Sequence, residues 1–248
     1  MPQLAFMAQS PATETPATET PRRPAAERVL RTPLGEEAAA RLLDDIAAIL
    51  RAAPVFVPVM PRTGTPFSVR MSNCGPLGWV SDRDNGYRYQ PTHPATGEPW
   101  PPMPQALLDL WARESHYPHP PEACLINYYA EGTRMGLHQD CDEADFDAPV
   151  LSVSLGDSAR FRIGGTTRRG PTESLLLRSG DVLVLGGPDR LAYHGIDRVL
   201  SGSSRLLSRH PDLFPRGGRI NLTLRRVTRP PEASCDTETR PNIGPHSA

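Results

Sequence analysis

The sequence predicts an α+β chain that is mainly β: a helical N-terminal part leaning on a β-rich C-terminal part. Three observations predict it. Before Pro120, two stretches repeat apolar residues at helical spacing. After Pro120, short apolar or alternating runs take over, split by Gly, Pro and Asp, as in a β-sandwich or barrel. Both ends are polar and Pro/Thr-rich, with little to bury. This gives one domain over residues 31–227, flanked by disordered tails at 1–30 and 228–248.

The elements follow in chain order. "PATETPATET" is a tandem five-residue repeat with no apolar face. "TPLGEEAAARLLDDIAAILRAA" offers Thr32 as N-cap, Pro33 at the first helical position, and Glu36 and Glu37 in the first turn. Leu42, Ile46, Ile49 and Leu50 then form one apolar face. "MPQALLDLWARES" is a second, shorter helix. Strands follow at "ACLINYYA", "PVLSVSLG", "ARFRIGG", "SLLLRSGDVLVLGG" and "RINLTLRRV".

Composition excludes some classes. The chain has 248 residues, 38% of them hydrophobic, and no apolar stretch of the roughly 18 residues that a membrane helix needs. Its start lacks a basic and then apolar signal, and Cys74, Cys124, Cys141 and Cys235 form no CxxC. These features suit a reducing cytoplasm. All 27 basic residues are Arg. Glu131 to Ser158 holds seven acids and one Arg, net −6; Arg160 to Arg226 holds thirteen Arg and five acids, net +8. A near-neutral chain can therefore present a basic face to a phosphate backbone, although a solvated face gives the same pattern.

The stretch "GLHQDCDE" poses the chemical question. On a strand, residues i and i+2 share a side, so His138 and Asp140 point together. One His and one carboxylate are two-thirds of the facial triad of a non-haem Fe(II) site. "HPD" at His210 to Asp212 has the same spacing, but Pro211 and its surroundings read as a loop. Candidates for a third ligand are His93, His116, His119 and His194. The first three sit in Pro-rich surface-loop stretches. His194 follows an apolar strand, a Gly pair and a short returning run, which can bring it beside His138; the alternative is an ordinary half-buried histidine. "RINLTLR" puts Arg219, Asn221, Thr223 and Arg225 on one strand face. Burying that face requires anions, which a dicarboxylate would supply; otherwise the face is solvent-exposed. "LINYY" likewise pairs Asn127 with Tyr129.

Taken together, "LINYYAEGTRMGLHQDCDE", "APVLSVSLG", "FRIGGTTRRG", "SGDVLVLGGPDRLAYHGI" and "RINLTLR" resemble the AlkB family of Fe(II)- and 2-oxoglutarate-dependent dioxygenases. The earlier "NCGPLGW" and "GYRY" match it too, so the likeness runs from about Phe67 to Arg226 and is nearest the bacterial repair enzymes. It implies a double-stranded β-helix (jelly roll) over about 120–227 with a nucleotide-recognition lid over about 67–100. It also implies Fe(II) on His138, Asp140 and His194, and 2-oxoglutarate on Asn127, Tyr129, Arg219, Asn221 and Arg225. Arg219 would take the distal carboxylate, and Arg225 would lie near the end that chelates iron. Base recognition carries over to Trp79, Tyr87, Tyr89, Asp142 and Arg168. The implied reaction uses O2 to dealkylate N1-methyladenine or N3-methylcytosine in single-stranded DNA, releasing formaldehyde, succinate and CO2. RNA or a small molecule is the alternative substrate, and a non-catalytic metal- or nucleic-acid-binding jelly roll the alternative class. The chain is expected to be a monomer. Cys141 should point away from iron into a structural role, with Glu143 a bystander. The segment between His194 and Arg219 should either reshape the strand-binding rim or stand idle.

Overall fold

The computed structural model describes residues 29–30 and 34–231. Helix α1 spans Glu36–Ala52 and buries Leu42, Leu43, Ile46, Ile49 and Leu50. Each of these contributes roughly 1.5–3 kcal/mol of burial. Its N-cap is Gly35, not the expected Thr32, which with Pro33 lies outside the described residues. Helix α2 spans Gln105–Glu114 and buries Leu107, Leu110 and Trp111.

A six-stranded sheet forms the frame. Its order is β1 (Val29–Leu30), β10 (Val182–Leu185), β7 (Val150–Gly156), β12 (Arg219–Arg225), β5 (Ala123–Tyr129) and β2 (Arg70–Cys74). A four-stranded sheet faces it: β6 (Met135–His138), β11 (His194–Val199), β8 (Ala159–Ile163) and β9 (Glu173–Leu177). Between them Leu125, Val150, Leu183 and Leu185 meet Phe161, Ile163, Leu177 and Ile196. This is the expected jelly roll. The outer face of the large sheet carries Ile126, Val153, Ile220, Leu222 and Leu224, which pack with both helices. The alternation read from "RINLTLR" holds: Ile220, Leu222 and Leu224 go to the helices, while the Arg face turns between the sheets.

Within 67–100, β2 is an edge strand of the large sheet, whereas β3 (Gly78–Asp82) and β4 (Gly86–Gln90) form a separate hairpin. Asn73 ties that hairpin to the frame. Its amide donates to the Trp79 carbonyl and accepts from the Trp79 N–H, both at 3.0 Å. A β-carbon on Gly78 would meet Trp100 at 2.4 Å and Asn73 at 2.7 Å, so only glycine permits this approach.

Several expectations need correction. Most of both expected tails lies outside the described residues, but Val29–Leu30 extends the sheet by pairing with β10. Beyond residue 227, Thr228 bonds Glu122 and Arg229 bonds the Ala144 carbonyl. His93 is buried, not a surface loop: its ring meets Phe56 and Trp100 and bonds the Pro54 carbonyl. In the segment between His194 and Arg219, residues 199–218 do not stand idle, although none of them lines the cavity. Leu207 and Phe214 enter the helix-side core, and Arg209, His210 and Asp212 pair with Asp44 and Arg51 of α1. "HPD" is thus a helix clasp.

Candidate active site

The two histidines of the triad are brought together by strand pairing. His194 opens β11 and His138 closes β6, and the two are cross-strand partners. The pairing shifts register at Gly195, where a β-carbon would lie 2.5 Å from the Met135 carbonyl. Asp140 follows two residues after His138. His138 Nε2 lies 3.7 Å from Asp140 Oδ1, and His194 Nε2 lies 3.7 Å from Oδ2. One ligand atom from each residue fits within 4.8 Å of the others, the size of a metal site.

The imidazoles are oriented for this. His138 Nδ1 bonds the Gly136 carbonyl at 3.0 Å, and His194 Nδ1 bonds the Ala192 carbonyl at 2.9 Å. A carbonyl only accepts, so each Nδ1 carries the proton and each Nε2 lone pair points inward. Burial, reinforced by His138, pushes His194 down to about 4, so it is neutral near pH 7. Burial alone would raise the Asp140 carboxyl, but Arg225 and both histidines outweigh it and hold it well below the usual range. Two inward-pointing imidazole Nε2 atoms and one carboxylate, leaving open positions, suit Fe(II).

The cluster lies at a cavity of about 620 Å³ between the sheets. Asn127, Tyr129, Arg219, Asn221 and Arg225 line it. Arg219 is fully buried and bonds the Ser154 hydroxyl at 2.7 Å and the Asp157 carbonyl at 3.2 Å. No carboxylate pairs with it among the described residues; burial pushes it down to about 10, and its Nε has no partner. The buried Asn127 Oδ1 is also unpartnered. A buried guanidinium that no carboxylate pairs with among the described residues fits a carboxylate ligand such as one end of 2-oxoglutarate. Arg225 is better neutralised than Arg219, although its Nε also lacks a partner among the described residues. It already holds Asp140 at 2.7 Å and Glu143 at 2.8 Å.

Glu143 is therefore no bystander. Its buried carboxylate takes Arg225, Arg190 at 2.9 Å, and the Tyr89 hydroxyl. Arg190 also donates to the Asp140 carbonyl at 2.7 Å. Tyr89 does not line the cavity; Glu143 and Arg225 occupy its hydroxyl, so it ties the hairpin to the loop carrying Asp140 and Glu143. Trp79, Tyr87, Asp142 and Arg168 do line the cavity. Trp79 stacks on Tyr87 at 5.5 Å and donates Nε1 to Asp142 at 2.7 Å. Cys141 is exposed and also lines the cavity, contrary to its expected structural role. Glu143, Arg190 and Asn73 were not foreseen. They lack a motif and act through partners distant in sequence.

Comparison with known proteins agrees with this geometry. The profile of the 2OG-Fe(II) oxygenase superfamily matches residues 27–225. The chain is 60% identical over 164 residues to an alpha-ketoglutarate-dependent dioxygenase AlkB homolog of Caulobacter vibrioides, covering 66% of this chain and 71% of that one. It is 46% identical over 207 residues to the alpha-ketoglutarate-dependent dioxygenase AlkB of Escherichia coli, covering 82% and 91%. The solved structure of OsALKBH1 superposes with a TM-score of 0.63 at 27% identity, covering 80% of this chain and 95% of that one. The chain belongs to the AlkB family of Fe(II)- and 2-oxoglutarate-dependent dioxygenases, within the 2OG-Fe(II) oxygenase superfamily.

Proposed function

We propose that this dioxygenase removes N-alkyl groups from damaged bases, such as N1-methyladenine and N3-methylcytosine, in single-stranded DNA. The observation that carries the reading is one cavity with a His–Asp–His cluster, a buried Arg219 whose Nε has no partner among the described residues, and a rim of Trp79, Tyr87 and Asp142. His138, Asp140 and His194 would hold iron, and Arg219 would take the distal carboxylate of 2-oxoglutarate. Asn127, Tyr129 and Asn221 would line its stem, and Arg225 would steady Asp140 beside it. When bound, Fe(II) with 2-oxoglutarate and O2 supplies the oxidation of the N-alkyl carbon, and the resulting hydroxymethyl group leaves as formaldehyde.

The chain's own residues select and hold the base. A base must leave its stack to enter such a cavity. Trp79, fixed by Asn73 and Asp142, offers it an aromatic face. A base methylated at these nitrogens is cationic. An Asp142 carboxylate about 4 Å away would favour it by roughly 1 kcal/mol in water and up to about 4 at a partly desolvated rim. Arg168 lines the same mouth and can meet a flanking phosphate. The free thiols of Cys74, Cys124 and Cys141 support a reducing cytoplasm as the place of action; no described helix is long and apolar enough to cross a membrane.

The test is incubation of Fe(II)-loaded protein with 2-oxoglutarate, O2 and a methylated DNA oligonucleotide, measuring formaldehyde and succinate. Stoichiometric formaldehyde is expected. Succinate that no methylated DNA accelerates would point to RNA or a small molecule, and absence of both products would sink the reading.

A further inference from the structure

The four-stranded sheet turns Ala159, Phe161 and Ile163 of β8 inward, so Arg160 and Arg162 point out. On β11 the pairing shifts register between Ile196 and Arg198, and both Asp197 and Arg198 are exposed. Arg198 then stands directly opposite Arg160 across the strands. Like charges in that position are destabilising. Neither guanidinium meets an acid among the described residues; Asp197 instead reaches Arg162 at 3.6 Å. On β9, Ser174 and Leu176 are the neighbours, while Glu173 falls by parity with inward-facing Leu175 and Leu177.

This basic face is continuous with the active-site mouth. A groove of about 400 Å³ is lined by Arg134, Arg162 and Asp197, and it shares Gly136 and Gly195 with the main cavity. From His194 to Arg198 the strand advances about 13 Å at roughly 3.3 Å per residue. That length accommodates up to about four phosphates at the stacked spacing of about 3.4 Å per strand.

We propose that the outer face of this sheet, centred on Arg160 and Arg198 and reached through Arg134 and Arg162, is a second contact surface for the nucleic-acid backbone. It binds the strand flanking the base held in the cavity. The inference rests on the nucleic-acid reading above and adds to it. The unneutralised Arg160/Arg198 pair is what an approaching polyanion relieves, and a strand longer than the reacting nucleotide is the occupant whose charge complements it.

The experiment uses the full chain with both arginines changed, Arg160→Gln and Arg198→Gln, and two substrates with a central methylated base: a trinucleotide and a 15-mer. The KM for the 15-mer should rise on the order of tenfold at 0.1 M salt with kcat unchanged, while the trinucleotide is unaffected. The slope of log KM against log salt for the 15-mer should fall by about 1.4, from two phosphates at about 0.7 each. An unchanged KM and slope, or equal loss on both substrates, overturns the inference. If the wild-type chain releases no formaldehyde from either substrate, the activity reading has failed by itself. Anisotropy with an unmodified 15-mer then decides: the wild type must bind more tightly and with the steeper salt slope.

Discussion

Replacing Glu143 with alanine probes how the loop carrying Asp140 is held. The buried carboxylate accepts from Arg190, Arg225 and Tyr89 at once. Removing one member of a buried ion pair costs about 3–5 kcal/mol, because the partner charge is left in a dry site. Here Arg225 keeps Asp140, and Arg190 keeps the carbonyls of Asp140 and Ala148. Neither guanidinium is fully orphaned, so the lower end applies, about 3 kcal/mol. For a folded unit of this size that lowers Tm by about 6–12 °C. Glu143→Gln keeps the shape and loses the charge, so it should fall between alanine and wild type. Tyr89→Phe removes one hydrogen bond and should cost about 1 kcal/mol. Urea denaturation of the metal-free variants, followed by circular dichroism, measures all three. A loss below 1 kcal/mol for Glu143→Ala would refute the argument, since the carboxylate would then not be neutralising two buried cations.

Three further outcomes follow from the site. His138→Ala or Asp140→Ala should abolish formaldehyde release, whereas His210→Ala should retain it, because His210 serves only the clasp to Asp44 and Arg51; assays at saturating Fe(II) check this. Arg219→Met should raise the KM for 2-oxoglutarate ten- to a hundredfold, the worth of a charge-assisted contact of about 1.5–3 kcal/mol, while leaving iron binding measurable by titration. Burial holds His194 near 4, below the roughly 6.5 of an unfolded histidine. As pH falls, the unfolded chain takes up the proton first. Stability of the metal-free protein is therefore full above about 6.5 and declines by about 1.4 kcal/mol per unit down to about 4. Urea midpoints between pH 7 and 4.5 should show this slope, and His194→Gln should flatten it.

The parts of the fold that are legible in the sequence are those written as local periodicity. Leu222 and Leu224 alternate with Thr223 and Arg225 because one face meets the helices and the other the cavity. The four residues of the α1 face are all buried, as their spacing requires. The start of that helix is not legible, because Thr32 and Pro33 are good capping types and propensity cannot choose between them and a glycine three residues on. The surface-loop expectation for His93 and the idle-loop expectation for the His194–Arg219 segment failed for another reason. Proline content marks a lack of regular structure, not exposure. An irregular chain packs inward when it carries a ring partner for Trp100, or residues such as Leu207 and Phe214.

The three acids of "GLHQDCDE" show where parity ends and three-dimensional partnering begins. Parity along an extended strand groups Asp140 with His138 and Asp142. Asp140 does face His138, and Asp142 stays exposed at the rim beside Trp79. But β6 ends at His138, so alternation has no authority over Cys141 or Glu143. What decides Glu143 is Arg190 and Arg225, 47 and 82 positions away. Two buried guanidiniums next to a single carboxylate would pull it toward themselves and away from a metal held by the two histidines. A second carboxylate shares them. Glu143 neutralises the pair that would otherwise compete for Asp140, and through Tyr89 it fixes the β3–β4 hairpin to the same point. The residue that parity left without a role is the one that lets Asp140 face both the arginines and the histidines.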